Sequence, residues 1–291
     1  MSEVPNIKFK KDTEHTLEFE VTPLPKLFQE TFPDHDPLKS HRLNFYAIIF
    51  ITDGNSGTHY IDFNTYQYKK GNLIFIAKEQ VHAFSSLQNN DGYIVLFTED
   101  FLTKSMAHED TIFLQQLFNY QLYHPVVQLT SGQFSEFKTI VAMAQHEREQ
   151  SSDFASERIL RSYLNLLLLK SQRLRKEHTN YHDSSYYQEF IQFQQLLRKD
   201  LFLSRRVSYY AEQLNMSSKK LNMITQEMVN MPVKTYITSS LVLEIKRILA
   251  NSSMTVNEVG YETGFEEPTN FVKFVKKHTH STPVELRKIL R

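Results

Sequence analysis

Apolar positions in the last third of the chain recur at helical spacing and stop at recognisable punctuation. A short amphipathic segment, Val256 to Thr263, ends at Gly264, a residue free to take the left-handed backbone that stops a helix. Phe265 follows as a plug, and Glu266, Glu267 and Pro268 open a new helix, with carboxylates at its positive end and proline in the first turn. Phe271, Phe274 and Val275 predict the buried side of that helix. Thr269, Asn270, Lys273, Lys276 and Lys277 predict the polar side. An earlier stretch repeats the plan. Val207 to Leu214, centred on Ala211, leads through Asn215-Met216-Ser217 into a helix from Ser218 to Met228, with Ser217 as its N-cap. Leu221, Ile224 and Met228 form its apolar side; Lys219, Lys220, Asn222 and Gln226 form the other. Between the repeats runs an amphipathic helix from Val233 to Ala250, buried through Tyr236, Ile237, Leu241, Ile245, Ile248 and Leu249, with Lys246 and Arg247 near its C-terminal end. The pattern predicts two helix-turn-helix units on one linker helix. A helix with an apolar back and a polar, basic front is the shape that enters a DNA major groove.

The first hundred residues have a shorter period. Phe45 to Ile51 is apolar and rich in β-branched and aromatic residues, Asp53 to Gly57 is a turn, and Thr58 to Phe63 alternates. Tyr66 to Tyr68, Leu73 to Ile76 and Tyr93 to Phe97 continue the series, which predicts a small sandwich or barrel. Helical spacing then appears over Glu99 to Tyr123, Ser131 to Glu149 and Ala155 to Lys176. The last of these is apolar around most of its circumference, through Ile159, Leu160, Tyr163, Leu164 and Leu166 to Leu169, and so needs burial on more than one side. The barrel and preceding helix can supply it, and so can a second subunit docking on Tyr163, Leu164, Leu167 and Leu168. The expected class is α+β. A barrel of about residues 1–100 with helices over about 101–177 makes one domain, 178–188 a polar linker, and 189–291 an all-α domain.

Charge refines this division. Net charge is zero over 291 residues, yet Tyr186 to Arg291 holds 15 Lys+Arg against 10 Asp+Glu, and the remainder 18 against 23. A basic C-terminal part on an acidic N-terminal part suits a protein in which one domain meets phosphates. Cysteine is absent, which excludes disulfides, thiolate metal sites and cysteine nucleophiles and fits a reducing cytosol. No apolar run approaches a membrane span, and the N-terminus carries no apolar signal segment, so a cytoplasmic location without membrane partners is expected.

The tandem units, the Gly264-Phe265 pair, the Phe271 and Phe274 spacing and the ending Thr282-Pro283 with Arg287 resemble the AraC/XylS family of transcription regulators over Phe190 to Arg291. His41-Arg-Leu-Asn-Phe-Tyr46, Gly57-Thr-His-Tyr-Ile-Asp62 and Gly71-Asn-Leu-Ile-Phe-Ile76 with Val81-His82 are similar, in the same order, to the cupin-like sensor domain of many members. Departures are visible. Asn230 and His280 stand where glycine is frequent, Gly260 where alanine is frequent, and Leu221-Asn-Met-Ile-Thr-Gln226 lacks the arginine usual in the first recognition helix.

The resemblance implies a sequence-specific regulator that binds double-stranded DNA and is controlled by a small effector, by homodimerisation, or by both. RNA polymerase is a further partner implied by such a role. DNA contact is expected from Ser218, Lys219, Lys220 and Asn222 in the first recognition helix, and from Glu267, Thr269, Asn270, Lys273 and Lys277 in the second, with Lys246 and Arg247 on phosphates. A ligand inside the barrel would meet His41, Tyr46, Phe50, Tyr60, Phe75, His82 and Phe97. The alternative is a cupin-type metal enzyme with an appended DNA-binding domain. A family His-x-His position here reads His41-Arg-Leu43, which leaves His41 and His82 with only His59, on another strand, as a third histidine. No metal, cofactor or catalytic residue is therefore expected.

Overall fold

The computed structural model describes residues 5–9, 17–29, 36, 38–85, 90–103, 114, 117–150, 155–177 and 184–290. Contacts divide the chain into two compact units, Pro5–His178 and Thr179–Arg291. In the first unit, β1 (Asn6–Ile7), β3 (His41–Leu43), β8 (Val81–Phe84), β5 (Gly57–Ile61) and β6 (Asn64–Tyr68) lie side by side in that order. A second sheet runs β10 (Val126–Gln128), β7 (Asn72–Ile76), β4 (Tyr46–Asp53), β9 (Asp91–Phe97) and β2 (Phe19–Pro23). The β1–β3 pairing is parallel and the other pairings are antiparallel. Strand β10 comes from beyond the first hundred residues and extends the sheet at β7. After the short α1 (Leu24–Gln29), the predicted helix from Glu99 to Tyr123 is helical at α2 (Glu99–Thr103); residues 104–113 and 115–116 lie outside the described set.

Strands β4 and β7 are buried on both faces, which is why they read as continuous apolar runs rather than alternating ones. Ala47, Ile49 and Ile51 share a core with Leu43, Ile61 and Phe84 of the other sheet, so these residues fill the space between the sheets. Tyr46, Ile48 and Phe50 point to the opposite side and pack under helices α3 (Ser131–Gln150) and α4 (Ser156–Glu177), against Phe137, Ile140, Leu160, Leu164 and Leu168. The helix that the sequence shows as apolar all round is thus satisfied largely within its own unit.

Among its described residues the second unit is built of helices alone: α5 (Tyr187–Asp200), α6 (Val207–Gln213), α7 (Ser218–Val229), α8 (Val233–Asn251), α9 (Val256–Glu262), α10 (Pro268–Thr279) and α11 (Pro283–Leu290). Helix α5 begins at Tyr187, inside the stretch that the sequence assigns to a linker. Tyr236, Ile237, Leu241, Ile245 and Leu249 bury one side of α8, which packs on α7 and also on α9, α10 and α11. Phe190 and Phe193 of α5 close an aromatic cluster with Tyr236 and Tyr210, and Gln194 donates to the Tyr236 hydroxyl at 2.6 Å.

Candidate nucleic-acid interface

Each recognition helix is fixed from behind before it offers anything in front. The N-terminus of α9 is closed by a capping box: Thr255 accepts from the Glu258 N–H at 3.2 Å, and Glu258 accepts from the Thr255 N–H at 2.6 Å. The turn uses Gly264 at φ +77°, and Phe265 drops into the core at 5.3 Å from Phe271 and 5.2 Å from Phe274. Pro268 starts α10, whose buried residues are Phe271 and Val275, while Phe274 stays half-buried. Glycine at 260 lets the Phe271 ring approach closely; a Cβ there would lie 3.2 Å from it. Glu266, Glu267, Thr269, Asn270, Lys273, Lys276 and Lys277 are left exposed along the outward side. His280 ends the helix in the left-handed region at φ 59°.

The first unit repeats this with different accessories. Tyr210 is buried, its hydroxyl donating to Ser204 O at 2.6 Å. Ser217 caps α7 by accepting from the Lys220 N–H at 3.1 Å, and Asn230 terminates the helix at φ 50°. Leu221, Ile224 and Met228 are buried, and Ser218, Lys219, Lys220, Asn222 and Gln226 are exposed. Two of these already have duties inside the unit. The Lys220 ammonium pairs with Glu189 of α5, and the Asn222 side-chain oxygen accepts from the Val233 N–H at 3.1 Å, capping the linker helix.

Of the two linker-helix cations expected on phosphates, Arg247 departs from that role. Arg247 is only 3% exposed and pairs with Glu244, so its charge is turned inward and has no reach to a phosphate. Lys246 is half-buried. Arg287 is likewise structural: it donates to Leu249 O at 3.2 Å and Met254 O at 2.6 Å, tying α11 to the end of α8. Sequence reasoning missed the groove between the two helix-turn-helix units, about 990 Å³ in volume. Arg205, Arg206, Ser208 and Tyr209 line one side, and Asn270, Lys273 and Lys277 the other. The visible signal was the Arg205-Arg206 pair immediately before α6. Burial and the neighbouring Lys277 also pull the His278 imidazole below its usual range.

In the first unit the expected ligand residues do not converge. Tyr46, Phe50, Phe75 and Phe97 lie in the core under the helices, not between the sheets, and Tyr60 is 44% exposed. Strand parity turns Tyr46, Phe50, Phe75 and Phe97 to the helix-covered face and Tyr60 to solvent. His41 and His82 do face the space between the sheets, sharing strand faces with Leu43 and Phe84. His59 joins them from β5: its Nε2 lies 3.1 Å from Nδ1 of His82, and the His41 and His82 rings are 4.2 Å apart. Full burial, with the neighbouring His41, pushes His59 down to about 3, and its Nδ1 finds no hydrogen-bond partner among the described residues. No group of three or more His, Cys, Asp or Glu among the described residues has the geometry to hold a metal ion. The expected subunit contact is also corrected. Leu164, Leu167 and Leu168 are buried in the unit's own core and Tyr163 is half-buried, whereas Leu166 and Leu169 of α4 and Met143 of α3 are exposed.

Among the described residues no helix is long and apolar enough to cross a membrane. Residues 27–162 match the family described as an AraC-like ligand binding domain, and residues 210–289 match a helix-turn-helix domain. The HTH-type transcriptional activator RhaR of Escherichia coli (strain K12) is 19% identical over 252 residues, 87% of this chain and 88% of its own length. ToxT of Vibrio cholerae is similar at 13% identity and a TM-score of 0.46, covering 94% of this chain and 99% of that one. The DNA-binding domain of the transcriptional factor AdpA, solved with a target DNA, is 20% identical over 34% of this chain and 90% of its own, with a TM-score of 0.32.

Proposed function

The chain belongs to the AraC/XylS family of transcription regulators, a DNA-binding module joined to a ligand-binding-type sensor domain, and from that premise we propose how it reads DNA. Helices α7 and α10 enter successive major grooves on one face of the duplex, about 34 Å apart. The observation that carries this is the exposed polar side of α10, held from behind by Phe265, Phe271 and Val275. Asn270 suits adenine, Lys273 suits guanine acceptors, and Glu267 can accept from cytosine N4. Thr269 and Lys277 flank them, with Ser218 and Lys219 supplying the weaker contacts of the first helix-turn-helix unit; Lys220 and Asn222 join only by giving up Glu189 and the Val233 N–H.

A small effector acts through the sensor unit, with residues 178–188 as the connection, and RNA polymerase is the protein partner at the promoter. The chain works in the cytoplasm without catalysis. A homodimer would form through the exposed Leu166 and Leu169 rather than through the buried leucines. Sedimentation of the wild type against Leu166→Glu with Leu169→Glu tests this; a wild type that is monomeric at micromolar concentration refutes it.

Selection of duplexes from random DNA with the purified full chain should return a two-part motif. Affinity for it should fall steeply with salt, because neutralised phosphates release counterions. A pool without enrichment, or binding insensitive to salt, overturns the reading.

A further inference from the structure

The loop between α5 and α6 reaches across to the turn of the second helix-turn-helix unit. Nη2 of Arg205 donates to Gly264 O at 2.5 Å and to Thr263 O at 3.4 Å. Its guanidinium lies 3.7 Å from the centroid of the Phe265 ring and 6.0 Å from that of Phe274. Gly264 is in the left-handed region, and a Cβ built on it would overlap the carbonyl oxygen of Phe202 in the same loop. Each contact has a physical reason. The carbonyls that end α9 lack helical partners and carry the negative end of its dipole, which suits a cation. Nη2 places its two hydrogens on two carbonyls while the guanidinium lies over an aromatic ring, an arrangement that a strongly hydrated lysine ammonium reproduces less well. Phe265 in turn packs on Phe271 and Phe274 of α10, so the loop's grip passes directly to the recognition helix.

We infer that Arg205 is a positioning residue that locks the second recognition helix to the first helix-turn-helix unit, so that the spacing of the two DNA half-sites is set in the free protein. The inference rests on the reading that both recognition helices engage DNA. With this lock, α8 is no longer the sole brace between the units: the linker helix holds them from one side and the Arg205 loop closes the other. The group is spent on carbonyls and an aromatic face, which is the use expected of a brace rather than of a phosphate contact.

The chain has no cysteine, so spin labels can be placed at Gln226→Cys on α7 and Lys276→Cys on α10 without background. In DNA-free full-length protein, the distance distribution should be single and narrow in the otherwise wild-type chain. It should be broad in Arg205→Ala and intermediate in Arg205→Lys. An unchanged distribution in Arg205→Ala overturns the lock; if that variant does not fold, Arg205→Lys decides by the same measurement. On duplexes selected by the wild type, one added base pair between the half-sites should cost the wild type about tenfold in affinity and Arg205→Ala much less. Equal sensitivity also overturns it. A wild type that selects no two-part motif counts against the two-helix reading and leaves the spin-label result standing.

Discussion

Helices α7 and α10 have the same length, the same left-handed termination and the same kind of apolar back, but their outward sides are used differently. On α10, Glu267, Thr269, Asn270, Lys273 and Lys277 are all exposed. On α7, the Lys220 charge is already met by Glu189, and Asn222 is recruited to cap α8. A side chain that holds its own fold must break that bond before it can hold a base, and the net gain shrinks accordingly. The lesson is that exposure alone overstates what a recognition helix offers. What counts is exposure together with partners already made.

The strongest way to separate the two units is to empty the core of one. Phe271→Ala should cost about 3–5 kcal/mol and melt the second unit; calorimetry or denaturant unfolding reads the loss, and specific DNA binding should vanish with it. Next, Asn270→Ala should cost about 1–3 kcal/mol of binding and relax the base preference at one position, measured by repeating the selection. Asn222→Ala should instead lower stability by about 0.5–2 kcal/mol, the worth of a cap, while the selected motif keeps its sequence. A changed motif with unchanged stability would make the two helices equivalent after all. His280→Gly should raise stability by about 1 kcal/mol by relieving left-handed backbone, and Asn230→Gly by less, because asparagine tolerates that region better. The smallest effect is the most telling in sign: Glu189→Gln releases Lys220 and should tighten DNA binding by less than about 1 kcal/mol, seen in a titration at low salt.

Legibility followed the period of the structure. In the helices, the 3.6-residue repeat separates apolar from polar positions, so Leu221, Ile224, Met228, Phe271 and Val275 could be assigned inward and Asn270 and Lys273 outward from spacing alone. In β4 and β7 both faces are apolar, and nothing in Tyr46 to Ile51 tells which parity faces the other sheet. Tyr46 and Phe50 face the helices rather than the other sheet, and whether His59 reaches His41 and His82 depends on the pairing of three strands distant in sequence. The leucine-rich α4 is hard to read for a related reason: Leu167 and Leu168 lie in the unit's core while Leu166 and Leu169 meet solvent, a distinction invisible in a run of four leucines.

The chain by itself determined the helix-turn-helix units, their caps, their turn residues and the polar side of each recognition helix, because these are local consequences of spacing, capping and backbone freedom. Tertiary structure alone decided that Arg247 turns inward, that Lys220 and Asn222 serve the fold, and that Arg205 grips the second turn. The physical reason is that a charged side chain's role depends on which partner lies within hydrogen-bond reach. For these four residues the partner is either distant in sequence or, as with Glu244, one of several charges that spacing alone cannot rank.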